Sequence, residues 1–239
     1  MNGLIALVGS GEYLPVMDAV DRALLANCGA NGRPPKVVCL PTAAGQEGSA
    51  SVDRWLKMGS EHFRALGAEV HPARLIDRAG ADDPQVAGLL EQTDLVYFSG
   101  GNPQYLYQTM QGSRAWQAAE TAWARGAVFA GCSAGAMILG EHIPDFRSLG
   151  FRKQAAFGKL AHAMILPHFD RMTSVRFLSM PLIQARLSDG EYALGVDENT
   201  ALVGKLGGEW QVMGTATVSV ITRHEVHTHS AGEMLTLPA

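Results

Sequence analysis

The chain has 239 residues, 47% hydrophobic and 18% charged, which is enough to bury a sizeable α/β core in one domain, residues 1–239. Its net charge of −4 is spread along the chain without a basic stripe, which argues against a nucleic-acid partner. No apolar run approaches membrane-span length, and the N-terminal run lacks the positive flank and the length of a signal peptide. The three cysteines, Cys28, Cys39 and Cys132, have neither CxxC nor zinc-ligand spacing and read as reduced thiols of a cytoplasmic protein.

Along the chain, strand-like and helix-like segments alternate. Residues 4–8 form an apolar run closed by Gly9-Ser10-Gly11, and 16–26 carry apolar residues at helical spacing. Residues 35–41 read as a buried strand, 52–66 as an amphipathic helix and 68–72 as a short strand. Residues 82–91 read as a helix with Pro84 and acidic residues in its first turn, where the dipole favours them. A strand over 94–98, one or two helices over 103–125 and a strand over 127–130 follow. This rhythm predicts a parallel sheet with helices on both faces, and ligands in such sheets bind beyond the carboxyl ends of the strands. From 140 to 160 the pattern loosens into an expected irregular insertion. A strand over 163–166 then delivers Pro167-His168-Phe169, and 172–187 reads as a helix interrupted by Pro181. Short β runs at 192–196, 200–203, 210–213 and 217–222 suggest an antiparallel extension.

The most informative stretch is Gly131-Cys132-Ser133-Ala134-Gly135, a Gly-x-Ser-x-Gly motif between a strand and a helix-compatible run. A nucleophile elbow needs that context: small flanking residues permit the tight turn, and the serine is pushed outward. A serine hydroxyl is a weak nucleophile without a base, and the base is usually held by a carboxylate. Among eight histidines, His168 stands at a predicted strand end on the same sheet edge as Ser133. Glu198, just past another strand, and Asp145, in the insertion, are the candidate acids; Asp197 and Asp170 are weaker ones. Backbone N–H groups of Ala134 and of the Gly100-Gly101 turn would form the oxyanion hole. Asn102 before Pro103 fits a helix cap and also a place in the substrate site. Arg171 would lie near a helix start, placed to meet a substrate carboxylate.

Other patterns carry less. Gly9-Ser10-Gly11 resembles the start of a dinucleotide loop, but Leu14 stands where the third glycine belongs. The run His224-Glu225-Val226-His227-Thr228-His229 lacks HExxH spacing and reads as an exposed polar strand end. Neither a cofactor nor a metal is expected.

Four segments together resemble the cyanophycinase/dipeptidase E family of serine peptidases. They are Phe98-Ser99-Gly100-Gly101-Asn102-Pro103-Gln104-Tyr105-Leu106, Gly131-Cys132-Ser133-Ala134-Gly135-Ala136, Pro167-His168-Phe169 and Gly195-Val196-Asp197-Glu198-Asn199-Thr200-Ala201. The resemblance covers nearly the whole chain. It implies a flavodoxin-like three-layer sandwich of the class I glutamine amidotransferase type, a Ser–His–acid triad and hydrolysis of aspartyl peptide bonds. The cyanophycinase branch places the acid after the histidine, which favours Glu198; the dipeptidase branch places it between serine and histidine, which favours Asp145. The late segment matches well, so Glu198 is preferred, although Leu166-Pro167 before His168 looks more like the dipeptidases. The expected partner is a small peptide substrate, with a homodimer left open. The alternative is a non-catalytic member of the fold that binds a small molecule.

Overall fold

The structure is a computed structural model that describes residues 2–28, 32–145, 152–174 and 180–238. The first two-thirds alternate as expected: β1 (Ile5–Val8), α1 (Asp18–Ala26), β2 (Lys36–Leu40), α2 (Ser49–Ala65), β3 (Glu69–Pro72), α3 (Arg78–Ala81), α4 (Pro84–Glu91), β4 (Leu95–Phe98), α5 (Pro103–Met110), α6 (Arg114–Arg125), β5 (Val128–Cys132) and α7 (Ala134–Met137). Local chemistry sets several boundaries. Asp83 caps α4 by accepting from Gln85 N, with Pro84 behind it where a missing N–H does no harm. The 103–125 stretch resolves into two helices. Gly112 breaks it at φ +66°, and Ser113 Oγ caps α6 by accepting from Trp116 N.

The remaining elements are β6 (His142–Asp145), β7 (Arg152–Ala155), β8 (Ala163–Leu166), α8 (Phe169–Ser174), α9 (Met180–Gln184), β9 (Tyr192–Val196), β10 (Thr200–Gly204), β11 (Glu209–Gly214), β12 (Thr217–Thr222), β13 (Val226–Ser230) and β14 (Met234–Thr236). Two sheets result. The central one runs β14-β11-β10-β1-β5-β4-β2-β3, and its five strands from β1 to β3 are mutually parallel. The second runs β13-β12-β9-β8-β6-β7.

Strand alternation divides the core. Ala6, Val8, Val37, Cys39, Tyr97 and Ala130 face α1 and α2. Ile5, Leu7, Val38, Leu40, Phe98 and Phe129 face the other way, toward α4–α7 and the inner side of the second sheet. The outer side of that sheet, with Met164, Leu166 and Ile221, is covered by Phe169 of α8 and Ile183 of α9.

Two expectations are corrected, and a third is refined. The segment read as irregular contains the antiparallel β6–β7 pair, with His142 opposite Ala155 and Asp145 opposite Arg152; residues 146–151 lie outside the described residues. Polar side chains and Pro144 hide these strands, because an edge pair needs no continuous apolar run. The last third adds antiparallel strands as expected, divided between the two sheets. β10, β11 and β14 widen the central sheet, whereas β9, β12 and β13 join β6–β8, and β8 pairs β9 in parallel. The helix expected from 172 begins earlier, at Phe169, and a second one starts at Met180 with Pro181 in its first turn; 175–179 lie outside the described residues.

Candidate active site

The carboxyl ends of β1, β4 and β5 lie in register, Val8 beside Cys132 and Phe98 beside Gly131. The chain leaves β5 at Ser133, whose φ of +50° and ψ of −110° place it outside the ordinary regions for a side-chain-bearing residue. Its N–H remains bonded to Val8 O at 2.9 Å, so the strained turn is anchored to β1. Two residues to either side, only glycine fits. A Cβ on Gly131 would lie 2.2 Å from Gly135 O, and one on Gly135 would lie 2.2 Å from Phe98 O. The following helix is four residues long, from Ala134.

The second sheet brings the candidate base and the candidate acid. His168 follows β8 with φ +50° and precedes α8, whose first amide bond runs from Met172 N to His168 O at 2.9 Å. Its Nε2 lies 3.2 Å from Ser133 Oγ, and its Nδ1 lies 2.8 Å from Glu198 Oε1. The first is long for a hydrogen bond to a hydroxyl, as is common before substrate binds. Glu198 sits in the turn from β9 to β10. Its N–H donates to Asp170 Oδ1 of α8 at 3.0 Å, and its Oε2 accepts from Arg171 Nε at 3.2 Å. The neighbouring Asp197 holds the turn by accepting from Thr217 N at 3.1 Å and Thr217 Oγ1 at 2.6 Å. Three of the four candidate acids are therefore placed around one turn, and the carboxylate on the imidazole is that of Glu198. Asp145 lies on β6 in the wall of the neighbouring cavity.

That cavity, about 580 Å³, is lined by Ser133, His168, Gly101, Asn102, Asp145 and Glu47 among others. The volume falls in the range of small-ligand sites. Gly101 has φ +140°, and a Cβ there would lie 2.5 Å from Ala43 O, so the turn after β4 requires glycine. Asn102 caps α5, its Oδ1 accepting from Tyr105 N at 3.1 Å, and also lines the cavity. Arg171, its side chain 72% exposed, contacts Glu198 and stands outside the lining.

One contributor was not legible. Glu12, 8% exposed, reaches under the site: Gly100 N donates to its Oε1 at 3.0 Å and Cys132 Sγ to its Oε2 at 2.8 Å. The available signal was an acidic residue in a glycine-rich turn at a strand's carboxyl end. The turn itself leans on the late segment, since a Cβ on Gly11 would lie 2.3 Å from Asn199 Oδ1.

Among the described residues no cluster of three or more His, Cys, Asp or Glu is placed to hold a metal ion. The histidine-rich tail forms β13, where His227 pairs with Glu225 at 3.0 Å. No helix among the described residues is long and apolar enough to cross a membrane.

A hydroxyl, an imidazole and a carboxylate in line are a constellation for acyl transfer. Comparison with known proteins agrees with that chemistry. The family model described as Peptidase family S51 matches residues 5–208. A crystal structure of a peptidase from an acI-B1 Actinobacterium is 34% identical, with 99% of this chain and 98% of that one covered at a TM-score of 0.88. A putative peptidase E protein from Listeria monocytogenes EGD-e shares the fold at 18% identity and a TM-score of 0.58, with 97% of this chain and 100% of that one covered. No curated protein matches. The chain belongs to peptidase family S51 and is a serine peptidase.

Proposed function

We propose that the protein hydrolyses short peptides, aspartyl or β-aspartyl dipeptides in particular, through Ser133, His168 and Glu198. The observation that carries this reading is the imidazole of His168, with one ring nitrogen toward Ser133 Oγ and the other on Glu198. His168 Nε2 takes the hydroxyl proton as Oγ adds to the scissile carbonyl carbon. The carbonyl oxygen becomes an oxyanion held by the N–H groups of Gly101 and Ala134. The C–N bond then breaks, the leaving amine takes the proton from His168, and water repeats the sequence on the acyl-enzyme. Glu198 keeps the imidazole in the right tautomer, and Arg171 in turn orients Glu198. The small cavity beside Ser133 supports a short substrate, with Asn102 as a substrate contact. The four family-like motifs support the aspartyl preference.

The test is a dipeptide panel with α-aspartyl, β-aspartyl-arginine and non-acidic members, run on the parent and on Ser133→Ala. Turnover restricted to the aspartyl members and lost in the variant supports the reading. Near-normal turnover by folded Ser133→Ala rejects the nucleophile. Indifference to the acidic residue rejects the substrate class and leaves the chemistry standing.

A further inference from the structure

The turn after β1 lacks a dinucleotide fingerprint, yet it delivers a buried carboxylate to the floor of the site. Consider the amides of the turn after β4. Ser99 N donates to Leu40 O at 3.2 Å, Gly100 N to Glu12 Oε1 at 3.0 Å and Asn102 N to Ala43 O at 2.8 Å. The Gly101 N–H has no partner among the described residues. The one unbonded amide therefore lies between two that are fixed. The peptide plane carrying it is held from both sides, and only on the Gly100 side does a side chain do the holding.

The other oxygen of Glu12 accepts from Cys132 Sγ, one residue before the nucleophile. Both contacts are buried, and a Cβ built on Gly100 would stand 3.0 Å from Glu12 Oε1 and 3.4 Å from Ser133 Cβ. One carboxylate thus spans the two backbone segments that present the Gly101 and Ala134 amides. Buried hydrogen bonds inside a low-dielectric site resist reorientation.

We propose that Glu12 is a positioning residue for the oxyanion hole: its carboxylate locks the Gly100–Gly101 turn to the Cys132–Ser133–Ala134 elbow, so that both amides point at one oxygen. This rests on the reading of Ser133 as nucleophile. A loose hole stabilises the transition state less while leaving ground-state binding nearly untouched, so the effect belongs in the rate and not in affinity.

The probe is an alkyl fluorophosphonate, which needs no knowledge of the natural substrate. Ser133 Oγ bonds to phosphorus, the P–F bond breaks, fluoride leaves, the hydroxyl proton passes to His168, and the phosphonyl oxygen occupies the hole. Glu12→Leu should lower kinact at least ~10-fold, since a fully lost oxyanion donor costs ~10²–10³. KI should stay within about twofold of the parent value. Glu12→Gln keeps an acceptor for Gly100 N–H and should remain within about threefold of the parent. Glu12→Asp keeps a carboxyl group but is one methylene too short to span both segments, and should fall with Leu. Should Glu12→Leu not fold, the Gln and Asp pair decides the matter, with circular dichroism reporting the fold. Parent-like kinact in Asp or Leu, equal losses in Gln and Leu, or a change confined to KI would each overturn the proposal. Ser133→Ala is run alongside. Labelling that survives in it rejects the nucleophile itself, a failure separate from that of Glu12.

Discussion

Gly135 leaves no room for a side chain, because the nearest atom to an added Cβ is the backbone oxygen of Phe98. Gly135→Ala must push α7 away from β4, and overpacking of this kind costs about 1–3 kcal/mol, more where backbone must shift. The same displacement moves Ser133 and the Ala134 amide. A lowered Tm together with a loss of turnover larger than the unfolded fraction explains is the expected result; a parent-like Tm would mean the elbow is less tight than it looks. The acid offers a second test at this scale. With Glu198 Oε1 2.8 Å from His168 Nδ1, Glu198→Gln leaves a partner that also satisfies the wrong tautomer. In a comparable triad that change lowers kcat about 10⁴-fold. Asp145→Asn should change kcat far less. Measured kcat values in the reverse order would transfer the acid's role to Asp145.

Between α1 and α2 a buried ionisable pair joins the elements. Asp21 is 1% exposed; its Oδ2 lies 2.7 Å from His62 Nε2, and its Oδ1 has no partner among the described residues. Burial lifts the Asp21 carboxyl above its ordinary value, with Asp18 adding to the rise and His62 opposing it. At pH values between the unfolded and the folded value, the folded chain holds a proton that the unfolded chain has released. The stability this supplies is complete below the unfolded carboxylate value, about pH 4, and declines as pH rises through the higher folded value. Asp21→Asn carries no such dependence, so its Tm relative to the parent should improve between about pH 4 and pH 7. A difference constant across that window would show that Asp21 ionises in the fold as it does in water. Elements of this kind, amphipathic helices against apolar strands, were readable in the sequence because a single period marks them. β6 and β7 were not, since neither 142–145 nor 152–155 holds a continuous apolar run, and each is made a strand by pairing with the other. Ser133, His168 and Glu198 were readable because each follows an apolar run at a strand end. Glu12 was hidden because its partner Gly100 is 88 residues away, a proximity that only the β1-β5-β4 strand order creates.

At the scale of the whole molecule the site is a joint between two sheets. The central sheet supplies Ser133 and the Gly100–Gly101 turn, and the second supplies His168 and, just past the end of β9, Glu198. A cysteine lies at this joint beside Ser133, and the fold turns it toward Glu12. Cys132 is fully buried, and its Sγ is turned to Glu12 beneath the sheet edge, away from the cavity. Burial first, then the Glu12 carboxylate, pushes its thiol well above the ordinary value. Cys39 is pushed up to about 12 by burial, and Cys28 is buried as well. Since the thiolate is the reactive form, all three should be silent in the folded protein. An Ellman's-reagent titration should find no thiol in the native protein and three after unfolding in guanidinium. Iodoacetamide should leave peptidase activity intact under conditions in which a fluorophosphonate abolishes it. Rapid native titration of a thiol with parallel loss of activity would place Cys132 within reach of the cavity, and the orientation argued for the elbow would be wrong.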